Sequence, residues 1–287
     1  MNKMFIVLIL LGFLTSCNDG DVIVTTFDFE DAALQICGGP GGYVFYKINS
    51  SATESISLYL STSEELFLES SIQEFTLNGT SNYVNYRKFD GTVTGSYFCS
   101  PIPPTDPSVT NEYVGSSGIA ILTTDTLLDD ADGIEEDVEG ILDTDTDGLL
   151  NYFDFDDDGD NVPTALELGD DPENPRDFDG DGIMDYLDPD DDNDGVLTRY
   201  EAAGGLDPII IVTDPTVGPD YLNPEVSAEV IIDEYRTHTY NLSSSIFLEI
   251  SNVVLSNGNE EITQETLDFG EKQDVANLVV SVVPIFN

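Results

Sequence analysis

The sequence predicts a mainly β protein, with two β-sandwich-like domains joined by an extended, loop-rich segment. Three observations carry this prediction: alternating strand-like runs towards both ends of the chain, turn residues between those runs, and an acidic middle segment that repeats. The chain has 287 residues, of which 40% are hydrophobic and 10% aromatic. This composition supplies enough apolar side chains for a packed core, unlike that of a fully disordered acidic chain.

The first β-sandwich domain is predicted over residues 22–124. Its alternating runs, such as residues 43–48 and 55–60, are rich in Val, Ile, Tyr and Phe, which favour strands. Glycine-containing turn signals separate the runs, for example at residues 38–42 and 78–79. Short strands with frequent turns are typical of an antiparallel sandwich.

A proline-containing linker is predicted over residues 207–224, and a small C-terminal β-domain over residues 225–287. The runs 245–251 and 278–286 have the composition of strands. Since about 60 residues make a thin core, we expect this domain to pack against the middle segment.

The N-terminus predicts export. After Lys3 the chain is apolar over residues 4–14 and then turns polar, which is typical of a signal peptide, here residues 1–16. The apolar run is too short for a transmembrane helix, which needs about 20 residues.

The tetrad Leu14-Thr15-Ser16-Cys17 resembles the lipobox of bacterial lipoproteins. The resemblance implies lipidation of Cys17 within a short N-terminus, residues 17–21. It also implies anchoring in the bacterial outer membrane, facing the periplasm or the cell surface, and two or three acyl chains would make that attachment stable. The alternative is an ordinary cleaved signal followed by a chance cysteine.

Two cysteines remain once Cys17 is assigned to the lipid. An exported protein meets oxidising conditions, so we expect Cys37 and Cys99 to form a disulfide within the first β-domain. Two free buried thiols are the alternative.

Acidic residues dominate the charge of the chain. There are 57 Asp plus Glu against 8 Lys plus Arg, which gives a formal net charge of -49. Such a chain repels polyanions, so nucleic acid is excluded as a partner. The predicted acidic segment is residues 125–206, and residues 125–201 hold 30 of the acids with only two cations, Arg176 and Arg199. This segment therefore needs cations from outside the chain.

The acidic segment contains an internal repeat at an offset of 34 positions, as from Asp143 to Asp177. Residues 143–167 align without gaps with residues 177–201, and each copy contains two consecutive twelve-residue loops. These are loop one (143–154), loop two (156–167), loop three (177–188) and loop four (190–201).

Loop four matches the calcium-loop pattern D-x-[DN]-x-[DN]-G-x5-E at every position. Carboxylates at positions one, three and five of a tight turn converge on one point, glycine at position six turns the chain with positive φ, and position twelve closes the cage. The predicted ligands are Asp190, Asp192, Asp194 and Glu201, together with the backbone carbonyl of Val196.

The other three loops depart from the pattern but keep most of its carboxylates. In loop two Asn161 replaces the glycine, and asparagine is the residue best able after glycine to adopt left-handed φ. Loops one and three end in the shorter aspartate, so we expect weaker binding there or carboxylates shared between neighbouring loops. The predicted ligands are Asp143, Asp145, Asp147, Asn151 and Asp154 in loop one, Asp156, Asp158, Asp160 and Glu167 in loop two, and Asp177, Asp179, Asp181, Asp185 and Asp188 in loop three.

A fifth, upstream loop over residues 128–139 fits the pattern only in part. It has Asp130, Asp132 and Glu139, but Leu128 occupies its first position. We expect this loop to be degenerate and empty.

Loops one and two are separated by Phe155 alone, and loops three and four by Pro189 alone, which leaves no room for the flanking helices of an EF-hand or a dockerin. The strings DTDTDGLLNYFDFDDDGD and DFDGDGIMDYLDPDDDNDGV instead resemble thrombospondin type 3 repeats, whose aspartate loops wrap a row of calcium ions. The resemblance covers about a quarter of the chain and lacks the cysteines of the animal family. It implies about four bound calcium ions.

The alternative for the acidic segment is solvated disorder. Its fixed spacing argues against that, because a disordered chain needs neither a turn-forming residue at position six nor an apolar residue at position seven of every loop. We expect calcium to fold the segment.

Catalysis is not predicted, because no nucleophile, base or phosphate-binding motif is present in the sequence. His238 is the only histidine, and we expect it to be a lone surface or half-buried imidazole. Tyr83 and Tyr86 could stack on sugar rings, although packing in a sheet is the commoner role.

The predicted function is that of a calcium-binding, membrane-anchored lipoprotein with a structural or adhesive role, in which the repeats form a calcium-rigidified spacer. Its predicted partners are calcium, the membrane through the lipid anchor, and a surface protein or glycan. The alternative is a carbohydrate-binding surface lipoprotein that assists polysaccharide capture. A third hypothesis, from the enzyme class, is a calcium-dependent hydrolase.

Overall fold

The computed structural model describes residues 27, 29–172 and 174–286. The mainly β prediction is confirmed, because the described residues contain nine strands that belong to one sheet. The strands are β1 (Gln35–Gly39), β2 (Gly42–Ile48), β3 (Glu54–Leu60), β4 (Ser71–Thr76), β5 (Asn82–Phe89), β6 (Val109–Gly115), β7 (Ile119–Asp129), β8 (His238–Ser256) and β9 (Glu261–Val282).

The helices in the described residues are all short, and the following counts refer to those residues. Three are α-helical, namely α1 (Ser96–Cys99), α2 (Glu136–Glu139) and α3 (Thr164–Glu167). Five single-turn 3₁₀ helices cover Asn151–Phe153, Asp185–Leu187, Thr198–Glu201, Pro208–Ile210 and Asp220–Leu222. None of the helices in the described part of the chain is long and apolar enough to cross a bilayer.

The strand order in the sheet is β1-β2-β3-β5-β6-β8-β7-β4, and β9 pairs with β8. The pairings β1–β2, β2–β3, β3–β5, β5–β6 and β6–β8 are antiparallel. The predicted turn at residues 38–42 is the hairpin between β1 and β2, where Gly38 has φ +89° and a Cβ would collide with the carbonyl oxygen of Gly42. Only glycine fits at that position.

Two compact units make up the chain, each assembled from discontinuous segments. The described residues of Met1–Glu64, together with Gln73–Ile121 and Leu248–Gly270, form unit 1. Glu65–Ile72, Leu122–Phe247 and Glu271–Asn287 form unit 2, apart from the residues outside the described ranges. The predicted division into two β-sandwich-like domains, a separate repeat segment and a linker stays a prediction.

Unit 1 has an apolar core built from one face of its strands. Tyr43 and Phe45 of β2, Ile56 and Leu58 of β3, and Val84 of β5 are each at most 1% exposed. These side chains pair across neighbouring strands, for example Phe45 opposite Leu58 and Leu58 opposite Val84, and such cross-strand pairs stabilise a sheet.

The two tyrosines considered for sugar binding lie in β5. Tyr86 is buried, and its hydroxyl donates a hydrogen bond of 2.8 Å to Glu54. Tyr83 is half-buried and stacks on Tyr59 with the ring centroids 5.3 Å apart. Tyr86 therefore belongs to the packing of the sheet, and the carbohydrate-binding alternative stays a prediction.

The predicted disulfide between Cys37 and Cys99 is confirmed, with the two Cα atoms 5.5 Å apart. It joins β1 to α1, and Phe98 of α1 also stacks on Tyr46 of β2 at a centroid distance of 4.3 Å. The predicted signal peptide and the lipidated Cys17 lie outside the described residues.

Candidate metal centre

Unit 2 buries carboxylates where a globular unit ordinarily buries apolar side chains. Asp156, Asp160 and Glu167 of loop two are 0% exposed, and Glu201 of loop four is 3% exposed. Buried carboxylates are rare unless they are paired or bind a metal. The interior of unit 2 therefore contains more negative charge than its own cationic side chains neutralise.

The two cations of the acidic segment neutralise only a small part of this interior. Arg176 forms an ion pair with Asp185, at position nine of loop three. Arg199 donates a hydrogen bond of 3.2 Å to the carbonyl of Gly159, and its guanidinium lies 4.7 Å from the ring centroid of Phe286.

The aspartates at positions three and five of each loop use their two oxygens differently. One oxygen accepts a hydrogen bond from the backbone N–H two residues later, as from Asp160 to Asp158 at 3.2 Å and from Val162 to Asp160 at 2.6 Å in loop two. In loops one, two and four the second oxygen is buried and has no hydrogen-bond partner, as for Asp145, Asp147, Asp158, Asp160, Asp192 and Asp194. The backbone thus fixes each carboxylate with a free oxygen turned inward, which suits a cation bound by several oxygens.

Position six has the backbone conformation that the loop pattern requires. Gly148, Gly182 and Gly195 have φ between +94° and +101°, and Asn161 has φ +74°. The prediction that Asn161 replaces glycine in the left-handed region is confirmed.

Asn161 also has a second role that glycine lacks. Its side-chain carbonyl accepts a hydrogen bond of 2.8 Å from the backbone N–H of Arg236, and its amide donates one of 3.1 Å to the carbonyl of Glu234. These bonds tie loop two to the stretch that leads into β8.

The structure brings part of the predicted ligand set of loops one, two and three together, and the groups below do not include Asp156, Asp185 or Asp188. In each of the following groups, one potential ligand atom per residue lies within 4.8 Å of the others. The groups are Asp143, Asp145 and Asp147; Asp158, Asp160, Glu167 and Asp191; Asp177, Asp179 and Asp181; Asp147, Asp154 and His238; and Asp132, Glu139 and Asp157.

Loop four shows the same free oxygens. One oxygen of Asp190 accepts a hydrogen bond of 3.2 Å from the N–H of Gly195, and the other is buried without a partner. Both oxygens of Glu201 are also buried without a hydrogen-bond partner.

Position nine braces the loops that end in aspartate. Asn151 accepts a hydrogen bond of 3.1 Å from the backbone N–H of Thr144, and Asp185 accepts one of 2.8 Å from Phe178. Asn151 and Asp185 therefore direct side-chain oxygens to the backbone of their own loops. For Asp185, the pair with Arg176 also supplies a counter-charge.

A third copy of this brace lies in the region predicted as a linker. Asp220 accepts hydrogen bonds from the backbone N–H and the hydroxyl of Thr213, at 2.6 and 2.8 Å, and donates its own N–H to Ile211. Asn151 and Asp185 donate their N–H groups to the carbonyls of Leu142 and Arg176 in the same way, nine residues back. The sequence contained a signal for this third copy, because similar triplets begin at the three equivalent positions. They are NYF at residue 151, DYL at residue 185 and DYL at residue 220.

The prediction of a surface or half-buried His238 was wrong. Its side chain is 0% exposed, and Nδ1 lies 2.6 Å from Oδ1 of Asp154 and 3.9 Å from Oδ2 of Asp147. The imidazole, at the first residue of β8, therefore contacts the carboxylate that ends loop one. Sequence reasoning missed it because β8 is far from loop one along the chain.

Burial raises the pKa of many of these carboxyl groups. Desolvation is the largest cause for Asp147, whose pKa rises to about 6, for Asp145 at about 7 and for Glu201 at about 8. Repulsion by neighbouring carboxylates adds to the rise. In Asp156, Asp158, Asp160 and Glu167 the same causes raise the pKa well above the usual range.

We expect metal binding to release protons. The raised pKa of Asp145 (about 7) and of Glu201 (about 8) means that the metal-free fold retains protons there at pH 6. These protonated carboxyls stabilise the metal-free fold below their unfolded pKa of about 4, and that contribution is lost as pH rises through 7 and 8. A cation requires the ionised form, so calcium displaces the protons.

Calorimetry in buffers of different ionisation enthalpy would measure this release, with more protons per calcium at pH 6 than at pH 9. A binding heat that is the same in every buffer at pH 6 would contradict the expectation.

Comparisons of the chain with protein-family models, with curated proteins and with solved structures find no match.

Proposed function

We propose that the protein is a calcium-binding, membrane-anchored lipoprotein with a structural or adhesive role, and that loops one to four form a spacer which calcium rigidifies. The observation that carries this proposal is the division between the two oxygens of the loop aspartates. At positions three and five of loops one, two and four, one oxygen is held by a backbone N–H and the other is buried without a partner, as in Asp160.

The ligand set favours calcium among the common cations. The buried groups consist almost entirely of carboxylate oxygens, which hard cations prefer, and loops of this spacing supply the backbone carbonyl that completes a shell of about 6 to 8 oxygens. Magnesium demands near-octahedral geometry and gives up its water reluctantly. Crowded carboxylates therefore suit calcium better.

The structural role follows from the energetics of the segment. Two carboxylates about 4 Å apart repel each other by about 1 to 4 kcal/mol near a protein surface. Few apolar side chains in the loops oppose this repulsion, and Val162 of loop two is one of them, at 0% exposure. Bound calcium reverses the sign of the interaction and makes the loops rigid. The membrane anchor is supported by the residues of the lipobox-like tetrad.

Calcium titration of the chelated protein tests the proposal. We expect equilibrium dialysis to count about four or more ions, with a fall in the radius of gyration and a change in circular dichroism as they bind. Asp160→Asn keeps the shape of a 0%-exposed side chain but removes its charge, so we expect the loss of one ion. The matched control is Asp233→Asn, at an exposed position of unit 2, and should leave the count unchanged. The proposal would be contradicted if the protein bound no calcium at millimolar supply, or if its radius of gyration did not change when calcium was added.

A further inference from the structure

Position two of loops two and four holds an aspartate that the calcium-loop pattern does not require. These residues are Asp157 and Asp191, which occupy equivalent positions in the two repeats. Each is 1% exposed, and none of their four carboxylate oxygens has a hydrogen-bond partner. Their backbone N–H groups donate to the hydroxyls of Thr164 and Thr198, at 3.1 and 3.3 Å.

An unpartnered carboxylate in a protein interior is costly, whereas an apolar side chain at the same place is not. Desolvation is the main reason that the pKa of Asp157 and that of Asp191 rise to about 10. Neither carboxylate has a hydrogen-bond partner within the described part of the protein. The groups towards which each side chain is directed therefore show where it could bind a cation.

Asp191 is directed out of loop four and into loop two. One of its carboxylate oxygens lies within 4.8 Å of ligand atoms of Asp158, Asp160 and Glu167, which occupy positions three, five and twelve of that loop. Loop two therefore gains a further carboxylate from the following repeat.

Asp157 is directed into the upstream loop in the same way, although the sequence predicts that loop to be empty. Its carboxylate lies within 4.8 Å of ligand atoms of Asp132 and Glu139, at positions five and twelve. In both cases the position-two aspartate enters the preceding loop that ends in glutamate. Asp157 thus brings a carboxylate to a loop that has Leu128 at position one.

The upstream loop has the same backbone features as loops one to four. Asp130 accepts a hydrogen bond of 3.1 Å from the N–H of Asp132, and Asp132 accepts one of 2.8 Å from Ile134. The second oxygen of each aspartate is buried without a partner. Gly133, at position six, has φ +111°. The loop is therefore shaped for a cation despite its degenerate sequence.

We propose that the upstream loop is a further divalent-cation site, formed by Asp130, Asp132 and Glu139 together with Asp157, and that Asp191 is the corresponding cross-loop ligand of loop two. The ligand is calcium, because all the donors are oxygens. This inference rests on the proposed calcium binding of the repeats. It connects the upstream loop to loop two, and loop two to loop four, through a position-two aspartate.

Counting bound calcium in the full-length protein and its variants tests the inference. We expect about five ions in the wild type and one fewer in Asp157→Asn and in Asp132→Asn. The double variant Asp157→Asn/Asp132→Asn should lose no more ions than either single variant, because both residues bind the same ion. Asp191→Asn should weaken one ion by at least the roughly 10-fold that loss of an outer-shell partner causes. Asp233→Asn is the matched control.

The outcomes separate the inference from the function on which it rests. A wild type without calcium contradicts the proposed function itself. A wild type that binds calcium, with an unchanged count in Asp157→Asn and Asp132→Asn, overturns this inference alone and leaves the position-two aspartates as neutral buried side chains. If Asp157→Asn does not fold in saturating calcium by circular dichroism, Asp132→Asn and Glu139→Gln decide the question from the other side of the site.

Discussion

Removal of calcium is expected to unfold the loops of unit 2 while unit 1 keeps its structure. A ligand that binds only the folded state at about 100 times its Kd contributes roughly 2.7 kcal/mol, so four independent ions contribute about 11 kcal/mol. That equals the total stability of a typical domain, about 5 to 15 kcal/mol. Without the ions, buried carboxylates such as Asp156 and Glu167 face neighbouring carboxylates, whose repulsion adds to the desolvation that raises their pKa. The effect should therefore be loss of folding rather than a modest shift in Tm.

Hydrogen exchange with and without a chelator measures this expectation residue by residue. Amides in residues 143–201 should lose their protection in the metal-free protein, whereas amides in β2, β3 and β5 of unit 1 should keep theirs. Excess magnesium is the control for ionic strength and should restore little protection, since its octahedral preference fits these loops poorly. Equal protection of residues 143–201 in both conditions would contradict the expectation.

The loops were predictable because their chemistry is local. Ligands that converge on one ion must sit at fixed spacings along a tight turn, and position six must tolerate positive φ. These constraints identified Asp158, Asp160 and Glu167 as neighbours and explained Asn161 in place of glycine. The mainly β composition was likewise visible in the alternating runs of residues 43–48 and 55–60.

Contacts between residues that are distant in the sequence were not predictable in the same way. His238 reaches Asp154 from the start of a strand, and nothing in the residues around it specifies that contact. Asp157 and Asp191 occupy a position that the loop pattern leaves open, so their burial follows only from the way in which successive loops pack. Likewise, the order in which the nine strands pair within one sheet was not predicted from the sequence. Strand pairing is decided by non-local contacts that local patterns do not encode.

Removal of the disulfide should destabilise unit 1 and leave calcium binding intact. Cys37 and Cys99 are 62 residues apart in sequence, and on the chain-entropy model a crosslink over such a loop contributes about 4 kcal/mol by restricting the unfolded chain. The bond joins β1, at the edge of the sheet, to α1, a helix of one turn that could not form alone. Without it, α1 keeps the stacking of Phe98 on Tyr46 as its main attachment to β2.

Urea unfolding of a Cys37→Ala/Cys99→Ala variant, followed by tyrosine fluorescence, measures this loss. Calcium is kept saturating so that unit 2 is stable throughout. The number of bound calcium ions should match that of the wild type, because neither cysteine belongs to unit 2. The matched control is Ser96→Ala, which shortens a side chain of α1 without breaking the crosslink. A double-cysteine variant that unfolds within about 1 kcal/mol of the wild type would mean that the strands of unit 1 already hold β1 and α1 in place, so that the covalent bond adds little.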